Sequence, residues 1–247
     1  MVGLVAGLSP LISPMKAADA PTSIPTEASR VSKRVSKRCE LNYLITLPEG
    51  YAKSGRKNWP LLVFLHGAGE RGSRLESLKM HGPPKLARQG RALPFIVVSP
   101  QCPSNEVWDD DAVLALIDSV IAKQRVDTKR VYLTGLSMGG YGTWSLAATH
   151  PERFAAVAPI CGGGNLITLL LADKGQKVAL KSLGVWAFHG GKDSVVPVGE
   201  SERMVQALKR LGHPDPKLTI YPNADHDSWT ETYNNPELYS WFLKHSR

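Results

Sequence analysis

Ser137 stands at the centre of Gly135-Leu136-Ser137-Met138-Gly139, between an apolar run at 131–134 and a helix-compatible stretch at 141–150. A G-x-S-x-G pentad in a strand-to-helix setting holds a serine hydroxyl on a sharp turn, exposed as a nucleophile. The flanking glycines have a steric purpose, because side chains there would collide with the neighbouring strand or helix. Gly140 and Gly142 add small residues where that helix must pack close to a sheet. A serine hydroxyl alone is a poor nucleophile, so a base must take its proton and an acid must orient the base.

In this arrangement the chain order is serine, acid, histidine, each at a strand end. The histidines after Ser137 are His150, His189, His213, His226 and His245. His150 closes the helix that starts at the serine and points away from the turn. His189 precedes the best acid, His213 follows the helix stop Leu211-Gly212 at the opposite edge, and His245 lies on the terminal helix. His226, just past the strand at 217–221, is the expected base. Asp193 follows the strand at 185–188 and the turn His189-Gly190-Gly191-Lys192, which puts it one strand earlier at the same edge as the expected acid. Asp225 and Asp227 are too near His226 in sequence to meet its Nδ1, and Asp173 falls between strands. A turn aspartate also has a local use, accepting hydrogen bonds from its own backbone.

Attack on a carbonyl puts negative charge on its oxygen, and backbone N–H groups must already point there. Met138, after the nucleophile, supplies one. The second is expected from Ala68, in the turn His66-Gly67-Ala68-Gly69-Glu70-Arg71-Gly72 after the strand at 61–65. Such glycines also suit a phosphate loop, but the G-K-[ST] that completes one is missing.

These groups meet only if strands carry them to one edge. The runs 61–65 (LLVFL), 95–98 (FIVV), 131–134 and 185–188 (VWAF) are near-continuously apolar, as in parallel strands buried on both faces. Leu41, Tyr43, Ile45 and Leu47 alternate with polar residues, as in a half-exposed strand. Val113, Leu114, Leu116, Ile117, Val120 and Ile121 share one helical face behind the acidic start 109–111, and Met204, Val205, Leu208 and Leu211 repeat the pattern. A last strand at 217–221 and a helix at 237–244 complete an α/β chain, with a mostly parallel sheet covered by helices on both faces. Right-handed crossovers place its crevice at the carboxyl ends of the strands.

With 247 residues, 43% apolar and 21% charged, the composition is that of a globular chain rather than a disordered, fibrous or coiled-coil one. No run of 18 apolar residues occurs, so no membrane span is expected. Cys39, Cys102 and Cys161 form no C-x-x-C pair, and neither a zinc ribbon nor a disulfide framework is expected. Half of the +8 net charge lies in residues 1–38, which hold six basic and two acidic residues. The tandem Val-Ser-Lys-Arg at 31–38 reads as a solvated linker rather than a nucleic-acid patch, since no aromatic residues are interleaved. Residues 1–15 and the Ala18-Asp19-Ala20 site look like a secretory signal lacking its basic start, so the chain is either secreted or periplasmic, or cytoplasmic. Residues 1–38 are thus expected to be a signal-like leader and linker, and residues 39–247 a single domain.

The segments FLHGAGERG at 64–72, SPQCP at 99–103, LTGLSMGGYGTW at 133–144, FHGGKDSVVPV at 188–198 and HDSW at 226–229 span about 165 residues. In that order the chain resembles the α/β-hydrolase superfamily. Within it, the likeness is to compact bacterial carboxylesterases related to dienelactone hydrolases, phospholipase/carboxylesterases and polyhydroxybutyrate-depolymerase-like esterases. The resemblance implies Ser137, Asp193 and His226 as a triad, Ala68 and Met138 as oxyanion donors, and no metal or cofactor. Dienelactone hydrolases carry a cysteine nucleophile where this chain has Ser137, which implies ordinary ester hydrolysis. Trp229, beside His226, is the expected aromatic wall of the pocket, with Trp108 as a further lining residue and Cys161, at a strand end, either another or, by preference, a small buried thiol. Trp144 and Trp186 read as core. Between Cys161 and Val185 there is room for a short cap with Leu166, Ile167, Leu169, Leu170 and Leu171 as its apolar face, which points to small soluble esters. A feruloyl or acetyl-xylan esterase, a prolyl-oligopeptidase-like peptidase, for which the chain is short, and a silent hydrolase-fold binding protein are the alternatives. Oligomeric state is not legible. Because the base must be neutral to accept a proton, kcat/KM is expected to rise with pH between about 5 and 8. A profile flat across that range contradicts a histidine base.

Overall fold

The structure, a computed structural model, describes residues 36–247; the expected leader, apart from residues 36–38, lies outside the described residues. Seven strands, β1 (Asn42–Thr46), β2 (Trp59–Leu65), β3 (Ile96–Gln101), β4 (Val126–Leu136), β5 (Ala156–Ile160), β6 (Gly184–Gly190) and β7 (Lys217–Tyr221), form one sheet. Their spatial order is β1-β3-β2-β4-β5-β6-β7, and every neighbouring pair is parallel except β1 with β3. The helices are α1 (Gly82–Arg88), α2 (Asp110–Lys123), α3 (Met138–Thr149), α4 (Leu166–Leu170), α5 (Lys174–Ser182), α6 (Gly199–Arg210), α7 (Trp229–Asn234) and α8 (Pro236–Leu243). Among the described residues no helix is long and apolar enough to cross a membrane.

The continuous apolar runs are explained by two cores, one on each face. Leu61, Val63 and Leu65 of β2 join Val113 and Ile117 of α2, Trp144 of α3 and Leu208 of α6. Leu62 and Phe64, pointing the other way, join Leu86 of α1, Tyr233 of α7 and Phe242 of α8. Asp109 starts α2 by accepting the Ala112 N–H at 3.0 Å, as the acidic run at 109–111 anticipates. Of the alternating set along and beside β1, Leu41 and Tyr43 pack on the core while Ile45 and Leu47 stay exposed, because this strand pairs on one side only and lies at the rim. The short cap is present as α4 and α5. Leu169 is buried and Leu166 packs against the core, while Ile167, Leu170 and Leu171 face solvent, so its apolar face is narrower than the sequence pattern suggests.

Strand order reverses at β2: the chain leaves it for β3 on one side and returns to β4 on the other. That switch point opens the crevice beyond the carboxyl ends of β2 and β4, which pair through Leu65 and Gly135. There the backbones touch. A β-carbon on Gly139 would lie 2.0 Å from the Leu65 carbonyl oxygen, and one on Gly135 would lie 2.3 Å from the Gly139 oxygen. Gly139→Ala is therefore expected to lower stability by about 3 kcal/mol or more. Gly199→Ala, with nothing within 4 Å of the added atom, serves as the control that should change stability little. Denaturant unfolding of both variants checks this, and a Gly139→Ala loss no larger than the control's contradicts the close crossing.

Candidate active site

Ser137 sits between β4 and α3 with φ 52° and ψ −115°. A non-glycine residue held in that region stores roughly 1–3 kcal/mol of strain. Its surroundings hold it there: the Ser137 N–H donates to the Ile160 carbonyl at 3.0 Å, and its own carbonyl accepts from the Tyr141 N–H at 3.0 Å. The turn aims the hydroxyl across the edge of the sheet, where Ser137 Oγ lies 2.9 Å from His226 Nε2. His226 Nδ1 in turn lies 2.8 Å from Asp193 Oδ2. Three side chains from the ends of β4, β6 and β7 are thus brought into one hydrogen-bonded line.

Asp193 combines the local and the remote use of a turn aspartate. Its Oδ1 accepts from the Val195 and Val196 N–H groups at 2.9 and 2.8 Å, which leaves Oδ2 for the imidazole. His189, fully buried behind it, directs Nε2 to the Val196 carbonyl at 2.9 Å and lies 3.3 Å from Asp193 Oδ2. A carbonyl only accepts, so that nitrogen carries the proton and donates it to Val196, beside the carboxylate. Asp225, set aside as an acid on sequence grounds, has another part. Its Oδ1 accepts from the backbone N–H groups of Ser194 and His226, both at 2.9 Å, tying the two loops together. These donors, with the Ser194 hydroxyl, hold the Asp225 carboxyl below the usual range. The sequence signal was only its place beside His226.

The turn after β2 is fixed with equal care. His66 Nε2 accepts from the Cys102 N–H at 3.0 Å, so the proton is on Nδ1, which donates to the Gly67 carbonyl at 2.6 Å. Burial lowers the pKa of this histidine to about 4 and keeps it neutral. Ala68 opens the short 3-10 turn Ala68–Glu70, and Met138 opens α3. First-position amides of helical turns have no intrahelical acceptor, so both are free in principle to meet a ligand oxygen. His66 is visible in the sequence as part of this turn, but nothing in the spacing signals that it sets the turn's conformation.

A cavity of about 670 Å³ opens beside Ser137, walled by Val107, Trp108, Met138, Tyr141, Asn165 and Thr168. Of the three expected lining residues only Trp108 borders it, with its indole N–H donating to the His66 carbonyl at 3.0 Å. Trp229 does not. As the first residue of α7 it packs edge-on against the His226 ring, with centroids 5.3 Å apart and planes at 89°. Cys161 does not either. It is wholly buried at the end of β5 with φ 41°, and its Sγ accepts from the Ser137 N–H at 3.3 Å. Trp144 is buried in the core as expected, and Trp186 packs half-buried against Phe188 and Trp241. Donor atoms of Cys161, Asp193 and His226 lie within 4.8 Å of one another. A cation there would have to displace the Asp193–His226 hydrogen bond and deprotonate a thiol that burial pushes up to about 12.

Residues 32–238 match the model of the dienelactone hydrolase family. A bifunctional acetylxylan esterase/xylanase of Neocallimastix patriciarum is 29% identical over 195 residues, covering 74% of this chain and 26% of that protein. A putative carboxymethylenebutenolidase of Yersinia pestis is 38% identical over 104 residues, covering 40% of this chain and 38% of its own. Among solved structures, a thermostable esterase superposes with a TM-score of 0.70 at 32% identity, covering 84% of this chain and 60% of that one. The chain therefore spans well under two thirds of these curated relatives. The fold it shares with these esterases is the α/β-hydrolase fold.

The thiols offer a check on the packing around Ser137. Burial raises Cys161 to about 12 and Cys102 to about 11, whereas Cys39 is exposed. Only the thiolate is alkylated, and at pH 8 a thiol titrating near 12 is roughly one part in 10⁴ ionised. Iodoacetamide treatment of the native protein at pH 8 should modify Cys39 and spare the other two, as read by peptide mass spectrometry. Rapid alkylation of Cys161 contradicts its placement beneath Ser137.

Proposed function

The chain belongs to the dienelactone hydrolase family, and from that premise we propose that it is a serine carboxylesterase acting on small soluble short-chain or aryl esters through a Ser137–His226–Asp193 triad. The observation that carries this reading is the unbroken line from Ser137 Oγ through His226 to Asp193, with steps of 2.9 and 2.8 Å. Ser137 Oγ attacks the ester carbonyl while His226 Nε2 takes its proton. Asp193 holds the imidazole in one tautomer and stabilises the imidazolium that forms. The negative oxygen of the tetrahedral intermediate is received by the Met138 and Ala68 amides. His226 then protonates the departing alcohol, and water, activated by the same imidazole, releases the acid from the acyl-enzyme. No step calls for a metal or cofactor.

Esterase relatives and structural neighbours support the ester-hydrolysing class. A second reading, hydrolysis of feruloyl or acetyl groups on plant-wall carbohydrate, has two observations behind it. One is the likeness to the acetylxylan esterase/xylanase and to a probable feruloyl esterase C of Aspergillus terreus, 28% identical over 163 residues, 63% of this chain and 56% of that one. The other is the mostly apolar cavity beside Ser137, whose volume suits a phenolic acyl group.

Kinetics with p-nitrophenyl butyrate test the reading. Ser137→Ala should lower kcat/KM by about 10⁴-fold or more without changing the unfolding transition, and Asp193→Asn should lower it by about 10⁴-fold. Turnover by the Ser137→Ala variant within tenfold of the parent contradicts the proposal. A panel of methyl ferulate, acetylated xylan and simple acetates separates the two readings by their relative kcat/KM.

A further inference from the structure

Beside the line Ser137–His226–Asp193 runs a second set of polar contacts that the proposed mechanism leaves unused. Trp229, three residues after His226, meets the His226 ring on one side and the His81 ring on the other, where the centroids are 5.5 Å apart with planes at 71°. Its indole N–H donates to His81 Nδ1 at 3.2 Å. An indole nitrogen can only donate, so His81 Nδ1 must be unprotonated and its Nε2 carries the proton. That Nε2 lies 3.6 Å from Glu70 Oε1. Glu70 is buried and closes the turn that Ala68 opens, and its backbone carbonyl accepts from Gln101 Nε2 at 2.8 Å. Burial lowers the pKa of His81, with Asp227 pulling it up and Lys85 pushing it further down, so the neutral form that can accept from the indole prevails at working pH.

The contacts therefore run from the oxyanion turn to the proposed base: Glu70 to His81, His81 to Trp229, Trp229 to the His226 ring. We propose that His81 is a positioning residue, which through Trp229 holds the His226 imidazole aligned with Ser137 and couples that alignment to the turn carrying Ala68. The inference rests on the triad reading and deepens it. His226 must keep Nε2 directed at Ser137 and then at the leaving oxygen, and its side chain is still 18% exposed. An indole free to leave its face gives the ring room to turn. Val107, Trp108, Tyr141 and Asn165, which wall the cavity, belong to other segments, so the loss is expected in kcat rather than in KM.

Two replacements of similar bulk separate positioning from filling. His81→Leu keeps volume and loses both polar contacts; His81→Gln offers an oxygen to the indole N–H and an amide N–H to Glu70. With p-nitrophenyl butyrate, His81→Leu should lower kcat about tenfold with KM changed by less than about twofold, and His81→Gln should recover kcat to within about threefold of the parent. Trp229→Phe, which keeps a ring and removes the N–H, should lower kcat similarly, and the double variant with His81→Leu should be no worse than either single one. If His81→Leu does not fold, Trp229→Phe alone and combined with His81→Gln carries the test, the combination expected to match Trp229→Phe. Equal kcat for His81→Leu and His81→Gln, or multiplying losses in the double variant, overturns the proposal. Failure of the triad reading shows separately, as turnover surviving Ser137→Ala.

Discussion

The Leu65 carbonyl oxygen would be only 2.0 Å from a β-carbon at position 139, and the arrangement of the crevice depends on that approach. It lets α3 start directly over the end of β2, which turns the chain sharply at Ser137 and leaves that residue with φ 52°. The same approach sets the turn after β2 against the turn after β4. A β-carbon on Gly67 would lie 2.7 Å from a Leu136 methyl. Glycine is required at 135 and 139 by backbone proximity, since neither has positive φ. The Ser137 hydroxyl is thereby held in place before any ligand arrives, and such preorganisation is what the proposed ester hydrolysis would exploit.

Around that crossing the polar groups form layers in which each tautomer follows from its neighbour. Cys102 N–H sets His66, and His66 sets the Gly67 carbonyl. Val195 and Val196 N–H groups occupy one oxygen of Asp193, leaving the other for His226. Asp225 fastens the loop of His226 to the loop of Asp193 through two backbone N–H groups. On the opposite flank the Trp229 N–H sets His81. Neighbouring N–H groups thus fix where the Asp193 carboxylate and the His226 imidazole point.

Much of this was legible in the residues alone, for physical reasons. Runs such as 61–65 showed two-sided burial because both faces of β2 are covered, and the order Ser137, Asp193, His226 followed from one strand end after another. What escaped was what spacing cannot encode. β5 (Ala156–Ile160) is built from alanine, proline and two β-branched residues, so only the position of Cys161 hinted at it. α1 begins with Gly82-Pro83-Pro84 and is too short to show a helical repeat, although proline suits a first helical turn. Trp229 was recognised as a neighbour of His226, but whether it faced the cavity or His81 depended on the direction in which α7 leaves the loop. Cys161 was legible as a strand-end residue and as a small buried thiol, and the structure buries it with its Sγ beneath the Ser137 N–H rather than at the cavity wall.

In the proposed mechanism the Ser137 hydroxyl is the activated nucleophile. A fluorophosphonate probe reacts with such a group and remains attached, so tryptic mapping of the labelled native protein tests the claim directly. One adduct per chain on the peptide containing Ser137, abolished by His226→Ala, is the predicted result. An unlabelled native protein, or an adduct on another residue, would contradict it.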